Sequence, residues 1–241
     1  NENRELIIQN AINNGIDTII MPAIDSDTLE LMLELEAAYP NNCIAMMGLH
    51  PCSVKDNVQQ ELDIVEAQLK KRKFIAIGEI GLDYYWDKTF IQQQIEAFTI
   101  QMQWALEKQL PIVIHTRNAM GETIEAVKPF AKKGLRGIFH CFSGSQESAQ
   151  QIISMGFHLG LGGVLTYKNA AVAEAIKEIP MSHLVLETDA PYLSPVPYRG
   201  KTNEPAFMIE VAKKLAEIKN IPLQEVAAIT TNNAKEVFGI E

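Results

Sequence analysis

Five apolar runs in this 241-residue sequence end on a side chain able to hold a metal ion or move a proton. GLHP ends its run with His50, AIGEIGLD carries Glu79, IVIHTR carries His115, IFHCFSG carries His140 and LVLETDAP carries Asp189. Three of the chain's five histidines and two carboxylates thus recur at one place relative to a strand-like run. Imidazoles and carboxylates converging in a buried mouth are costly unless something pairs them. A divalent cation does so, taking neutral imidazole nitrogen and anionic oxygen together. Glu79, His115, His140 and Asp189 are therefore expected to be metal ligands. His50, followed by Pro51, is open between that role and a hydrogen-bonding group for substrate.

The segment GIFHCFSGS offers several chemical side chains, of which His140 is the one expected to act. Cys141 is a nucleophile only with a base to activate it, and beside a ligating histidine it is expected to be a packed residue. Ser143 with Gln146 matches the S-x-x-Q capping box of the following helix, and Ser145 is expected to be structural. GLGG, Gly160 to Gly163, suits either a close backbone approach to substrate or ordinary turn chemistry. In PVPYRGKTNEP, Arg199 and Lys201 precede a helix beginning near Pro205, as a phosphate clamp or a solvated basic loop. Tyr84, Tyr85 and Trp86 suit rim packing or stacking on bases.

The elements that must position these residues alternate along the chain. Strands are expected at Asp17 to Met21, Cys43 to Leu49, Phe74 to Ile80, Pro111 to His115, Gly137 to Phe139, Phe157 to Leu161 and Leu184 to Glu187. Helical patterns lie between them, such as the stripe Ile91, Ile95, Phe98, Met102 and Leu106. Apolar strands joined by helical crossovers make a parallel sheet buried on both faces. No Gly-rich turn follows the first strand, as an open doubly wound sheet would have, and no linker or repeat divides the chain. A single α/β domain, a (β/α)8 TIM barrel over residues 1–241, is expected. Only seven strands are counted, and the chain opens in a helix with Ile7, Ile8, Ala11 and Ile12 on one face and Gly15 as its stop. The first strand and its loop are accordingly expected to precede Asn1, making the barrel N-terminally incomplete; losing a strand outright would open two edges.

Composition narrows the partners. With 47% hydrophobic and 21% charged residues the chain can bury a core, and no apolar run reaches membrane-spanning length. Cys43, Cys52 and Cys141 form neither an even set nor a C-x-x-C pair, which suggests reduced thiols in a cytoplasmic protein. A net charge of −9 excludes broad electrostatic wrapping of duplex nucleic acid, but not a small site in which bound cations supply the positive charge.

GLHP, IGEIGLDYYW, IHTR, FHCFSGS, LETDAPYL and PYRGKTNEP, in this order across the whole chain, resemble the TatD family of metal-dependent deoxyribonucleases. The resemblance implies a TIM-barrel hydrolase with two divalent metal ions (Mg, Mn or Zn) that cleaves DNA phosphodiesters, trimming single-stranded 3′ ends. It implies Glu79 as a shared ligand, His115 and His140 on one metal, and Asp189 as ligand and base for the attacking water. His50 and Arg199 match positions near substrate. The family's first strand carries a His-x-His pair, which this sequence lacks; the strand expected before Asn1 is where that pair belongs. No membrane and no stable protein partner are expected. Two other functions fit less of the sequence: a small-molecule amidohydrolase or esterase on the same barrel, and a non-catalytic protein-binding barrel.

Overall fold

The structure is a computed structural model that describes residues 3–240. In chain order the first half runs α1 (Arg4–Asn13), β1 (Ile19–Met21), α2 (Ser26–Ala38), β2 (Cys43–Ala45), α3 (Val58–Lys71), β3 (Ile77–Asp83), α4 (Ile91–Lys108), β4 (Ile112–Arg117), α5 (Met120–Ala131) and β5 (Gly137–Phe139). The second half runs α6 (Gln146–Ser154), β6 (His158–Leu161), α7 (Ala171–Ala175), β7 (Leu184–Leu186), α8 (Met208–Lys219) and α9 (Leu223–Phe238). Every strand expected from the sequence is present; Gly137–Phe139 has the expected bounds, four others differ by one or two residues at an end, and β2 and β3 differ by three or more. The described residues fall into two compact units: Thr18–Phe139, and the segment up to Asp17 together with His140 onward.

In the unit Thr18–Phe139, β1 pairs with β2, β3 with β4 and β4 with β5, all parallel. β3 is buried at all seven positions, the pattern of a strand covered on both faces. It begins later than expected and runs on to Asp83, because its last three residues pair with His115, Thr116 and Arg117 of β4. β2 stops at Ala45 rather than Leu49, although Met47 still bonds the chain before and inside β3. The core between these elements includes Leu49, Ile77, Ile80, Phe98, Met102 and Ile114.

Helix α4 departs from the expected stripe. Phe98 and Met102 are buried as expected, but Ile91, Ile95 and Leu106 are only half-buried, and the inward face carries Gln94 and Gln101 instead. The Gln101 amide closes a reciprocal pair with Leu49, accepting from its N–H at 2.7 Å and donating to its carbonyl at 3.2 Å. Gln94 does the same for Asp83, at 2.9 and 3.1 Å. Backbone groups at these ends of the sheet have no ladder partner, and a buried unpaired one costs about 1–3 kcal/mol. Two glutamines remove that cost and hold the backbone next to His50 and at Asp83.

In the other unit β6 and β7 are parallel, in register Leu159 to Leu184 and Leu161 to Leu186. The ladder continues one step, with Glu187 N–H donating to the Leu161 carbonyl at 3.1 Å. Helix α1 ends as expected near Gly15, whose φ of 78° suits the left-handed turn there. Helix α6 corrects one expectation: its cap is Ser145, not Ser143. The Ser145 hydroxyl accepts from Ser148 N–H at 3.3 Å. The helix begins at Gln146, so the S-x-x-Q match is two residues out of register with a cap, which must immediately precede the first helical residue.

Candidate functional site

Strand alternation places Glu79, Gly81 and Asp83 on one face of β3. His115 is the β4 partner of Gly81, so its ring lies between the two carboxylates. Its Nδ1 is 3.0 Å from Glu79 Oε1 and its Nε2 is 2.9 Å from Asp83 Oδ2. Gly81 makes this approach possible: it has φ 148°, and a Cβ there would sit 1.9 Å from the His115 carbonyl oxygen.

Asp83 fixes the tautomer of His115. Its Oδ1 accepts from the N–H groups of Tyr85 and Trp86 at 2.9 and 3.1 Å, so both oxygens are engaged as acceptors. Burial pushes the Asp83 carboxyl up, but the His115 hydrogen bond and those from Trp86 and Tyr85 outweigh it and hold the carboxyl well below the usual range. An ionised Asp83 accepts a hydrogen bond from the Nε2–H of His115, which turns the Nδ1 lone pair toward Glu79. A carboxylate behind a histidine whose other nitrogen is free to ligate is the usual second layer of a metal site.

His50 is the third member of the group. Its Nε2 lies 3.3 Å from His115 Nδ1 and 3.6 Å from Glu79 Oε1, and the ligand atoms of His50, Glu79 and His115 all lie within 4.8 Å of one another. Distance alone would make it a metal ligand. Its tautomer argues otherwise: the Cys52 N–H donates to His50 Nδ1 at 3.1 Å, which leaves the proton on Nε2. His50 therefore presents a donor to the site, while Glu79 and His115 present acceptors. Among the described residues these two fit a divalent cation without any change of protonation.

Arg117 follows His115 on β4 and lies 3.8 Å over the Tyr85 ring and 5.2 Å over Trp86. Tyr85 and Trp86 meet edge to face at 4.8 Å and are 50% and 68% exposed. Asp83 thus ties one ligand to an exposed aromatic pair through its two oxygens.

The second unit repeats the arrangement. His140 Nδ1 is 3.3 Å from Glu187 Oε2, and its Nε2 is 3.3 Å from Asp189 Oδ1. His140 thus lies between Glu187 and Asp189 as His115 lies between Asp83 and Glu79. Gly162 reserves the space, since a Cβ there would meet Glu187 Oε1 at 2.1 Å. Arg199 stacks 3.8 Å over the Tyr167 ring. Burial pushes the Tyr167 phenol up, against the pull of the neighbouring Arg199. Lys201 Nζ lies 5.8 Å over Tyr198.

Of the expected ligands, the structure brings Glu79 to His115 in one unit and His140 to Asp189 in the other. Sequence reasoning missed Asp83 and Glu187. Both share strand parity with a residue it did single out: Asp83 lies four positions after Glu79, and Glu187 two before Asp189. Asp83→Asn is expected to keep the loop hydrogen bonds but turn an amide N–H against His115 Nε2–H. Metal affinity should fall ~10–100-fold, measured by competition with a chromophoric chelator. Unchanged affinity in a folded variant would mean His115 does not ligate through Nδ1.

The comparisons agree with this chemistry. The description "TatD related DNase" matches residues 1–239. The uncharacterized metal-dependent hydrolase YabD of Bacillus subtilis is 39% identical over 237 residues, covering 98% of this chain and 92% of the relative. The metal-dependent hydrolase YcfH of Escherichia coli K12 is 32% identical over 202 residues, covering 83% and 76%. The crystal structure of YjjV, a TatD homologue from Escherichia coli K12, matches 100% of this chain and 93% of its own with TM-score 0.93 at 28% identity. That likeness gives the chain the TIM-barrel fold expected from its sequence. With carboxylate-backed histidines in both units and a family description spanning nearly every residue, the chain belongs to the TatD-related DNase family.

Proposed function

We propose that this chain is a divalent-metal-dependent hydrolase of DNA phosphodiester bonds that trims single strands from their 3′ ends. The observation that carries it is the repeated pairing of an imidazole with a carboxylate on one nitrogen and an acidic donor facing the other, at Asp83–His115–Glu79 and Glu187–His140–Asp189. Glu79, His115, His140 and Asp189 are the proposed ligands, for two ions of Mg, Mn or Zn.

Two divalent ions supply Lewis acidity that eases deprotonation of water and relieves charge on the phosphate. The chain's own groups do the rest. Asp189 takes the proton of the attacking water. His50 donates its Nε2–H to a phosphate oxygen, and Arg199 with Lys201 holds a non-bridging oxygen. Tyr85 and Trp86, with Arg117 on the tyrosine face, offer a stacking surface to an unpaired base. A net charge of −9 fits a site that grips a strand terminus and few phosphates. Three cysteines outside any disulfide among the described residues fit a cytoplasmic setting.

The test is hydrolysis of labelled single strands, blunt duplex and a panel of amides and esters, with Mg²⁺ or Mn²⁺ and with chelator. Shortening of single strands from the 3′ end, abolished by chelator, is expected, with a log–log salt slope of binding of only ~1–3. Turnover of amides with none of any oligonucleotide would transfer the assignment to a small-molecule hydrolase. Steep salt dependence and tighter binding to internal duplex would overturn the strand-end mode.

A further inference from the structure

His158 and His183 are the two histidines with no part in the chemistry above. They lie at the opposite ends of β6 and β7 from Glu187 and Asp189. His158 opens β6, and His183 closes the short 3-10 turn Met181–His183 that leads into β7. The register pairs Leu159 with Leu184, so the two histidines occupy the preceding cross-strand step. Their ring centres are 5.6 Å apart, with the planes tilted by 47°.

Both Nδ1 atoms are buried and have no hydrogen-bond partner among the described residues. One buried, unpaired imidazole nitrogen is a cost; two side by side call for an occupant, an ion or a water. With no partner against it, Nδ1 of a neutral ring protonated on Nε2 carries a lone pair that a metal ion can take. Burial and the neighbouring His183 pull the His158 pKa down, which keeps the ring in its ligating form, and Glu236 pushes against that shift from across the pair.

Helix α9 packs on this turn. Asn233 pins the helix onto the turn by donating to the carbonyls of Met181 and Leu184 at 2.7 and 2.8 Å. Glu236 is one turn further along the same helix and is exposed.

From the paired, buried Nδ1 atoms of His158 and His183, we infer a second divalent transition-metal site at the amino ends of β6 and β7. The spacing suits it: with metal–nitrogen bonds of ~2.0–2.1 Å and a tetrahedral angle, two ligating imidazoles have ring centres ~5 Å apart. Paired imidazoles select zinc, copper or nickel over magnesium. The ion ties the start of β6 to the turn before β7 through two rings. This assignment is independent of the proposed nuclease chemistry.

Zinc is the probe. Crystals of the unmodified protein soaked in Zn²⁺ and measured on both sides of the zinc edge should show an anomalous peak ~2.0–2.1 Å from both Nδ1 atoms. A peak without anomalous signal, or no peak, would assign the space to water or leave it empty, and the inference fails. In solution, indicator competition should count one fewer Zn²⁺ per chain for His183→Gln than for the unmodified protein, or at least ~tenfold weaker binding of that ion. Circular dichroism checks that the variant is folded, and oligonucleotide hydrolysis should be unchanged. Undiminished zinc binding by the folded variant would also overturn the site; if it does not fold, the anomalous measurement decides.

Discussion

Asp189→Asn is expected to leave the protein folded and to lower turnover of single-stranded DNA by at least ~100-fold, the usual scale for losing a general base. The substitution is clean for a backbone reason. Asp189 has φ 55°, in the left-handed region where asparagine is at least as comfortable as aspartate, so no strain is added. The amide keeps an oxygen for His140 but has no charge and no affinity for a proton at neutral pH. Circular dichroism and thermal melting check the fold, and initial rates at saturating Mn²⁺ separate lost proton transfer from lost metal. Cys141→Ala is the control; it retains the φ of 44° without the thiol and should cost little activity. If the cysteine change abolishes turnover in a folded protein and the aspartate change does not, the two roles are reversed.

Gly81→Ala is expected to be the most damaging single methyl in the chain. It would place a carbon 1.9 Å from the His115 carbonyl oxygen at a φ of 148° that side chains rarely adopt. The strands have little room to yield, since Gly81 lies in the fully buried β3 and is paired directly with His115 of β4. Strain of this kind costs ~3–5 kcal/mol. Urea unfolding should show that loss at an unchanged m-value, with metal affinity falling in the protein that remains folded. Gly121→Ala, in the middle of the sequence but with open space around the added carbon, is the comparison and should be close to neutral or stabilising. Equal stability of the two variants would show that β3 and β4 are not held as close as the contact requires.

Much of the frame was legible because it rests on short-range pattern. Seven apolar runs became seven strands, and the histidines and carboxylates closing them were found by position alone. The losses were of another kind. Gln94 and Gln101 read as polar interruptions of an apolar stripe, yet they are its innermost residues, because the backbone ends they bond are brought near only by folding. Asp83 and Glu187 sit inside motifs in which Glu79 and Asp189 draw the attention; what marks them is a contact with a histidine distant in sequence, which only folding brings near. Ser145 displaced Ser143 as a cap because the helix begins two residues later than the motif suggested. Tautomer, too, lies outside what residue spacing conveys, and it is what separates the donor His50 from the acceptor His115.

The crossover from β3 through α4 to β4 also bears on how the chain assembles. Glu79 and His115 are 36 residues apart, Asp83 and His115 32, and all belong to one strand–helix–strand unit. Closing a loop of that size costs only about 3 kcal/mol of chain entropy beyond a constant, and doubling it would add about 0.6. Contacts of such short sequence separation form early relative to those that must await distant segments. On a ribosome, where chains emerge amino end first, every member of the Glu79–Asp83–His115 group has been synthesised before His140 is added. The order of synthesis therefore lets this constellation condense while the second half of the polypeptide is still being made.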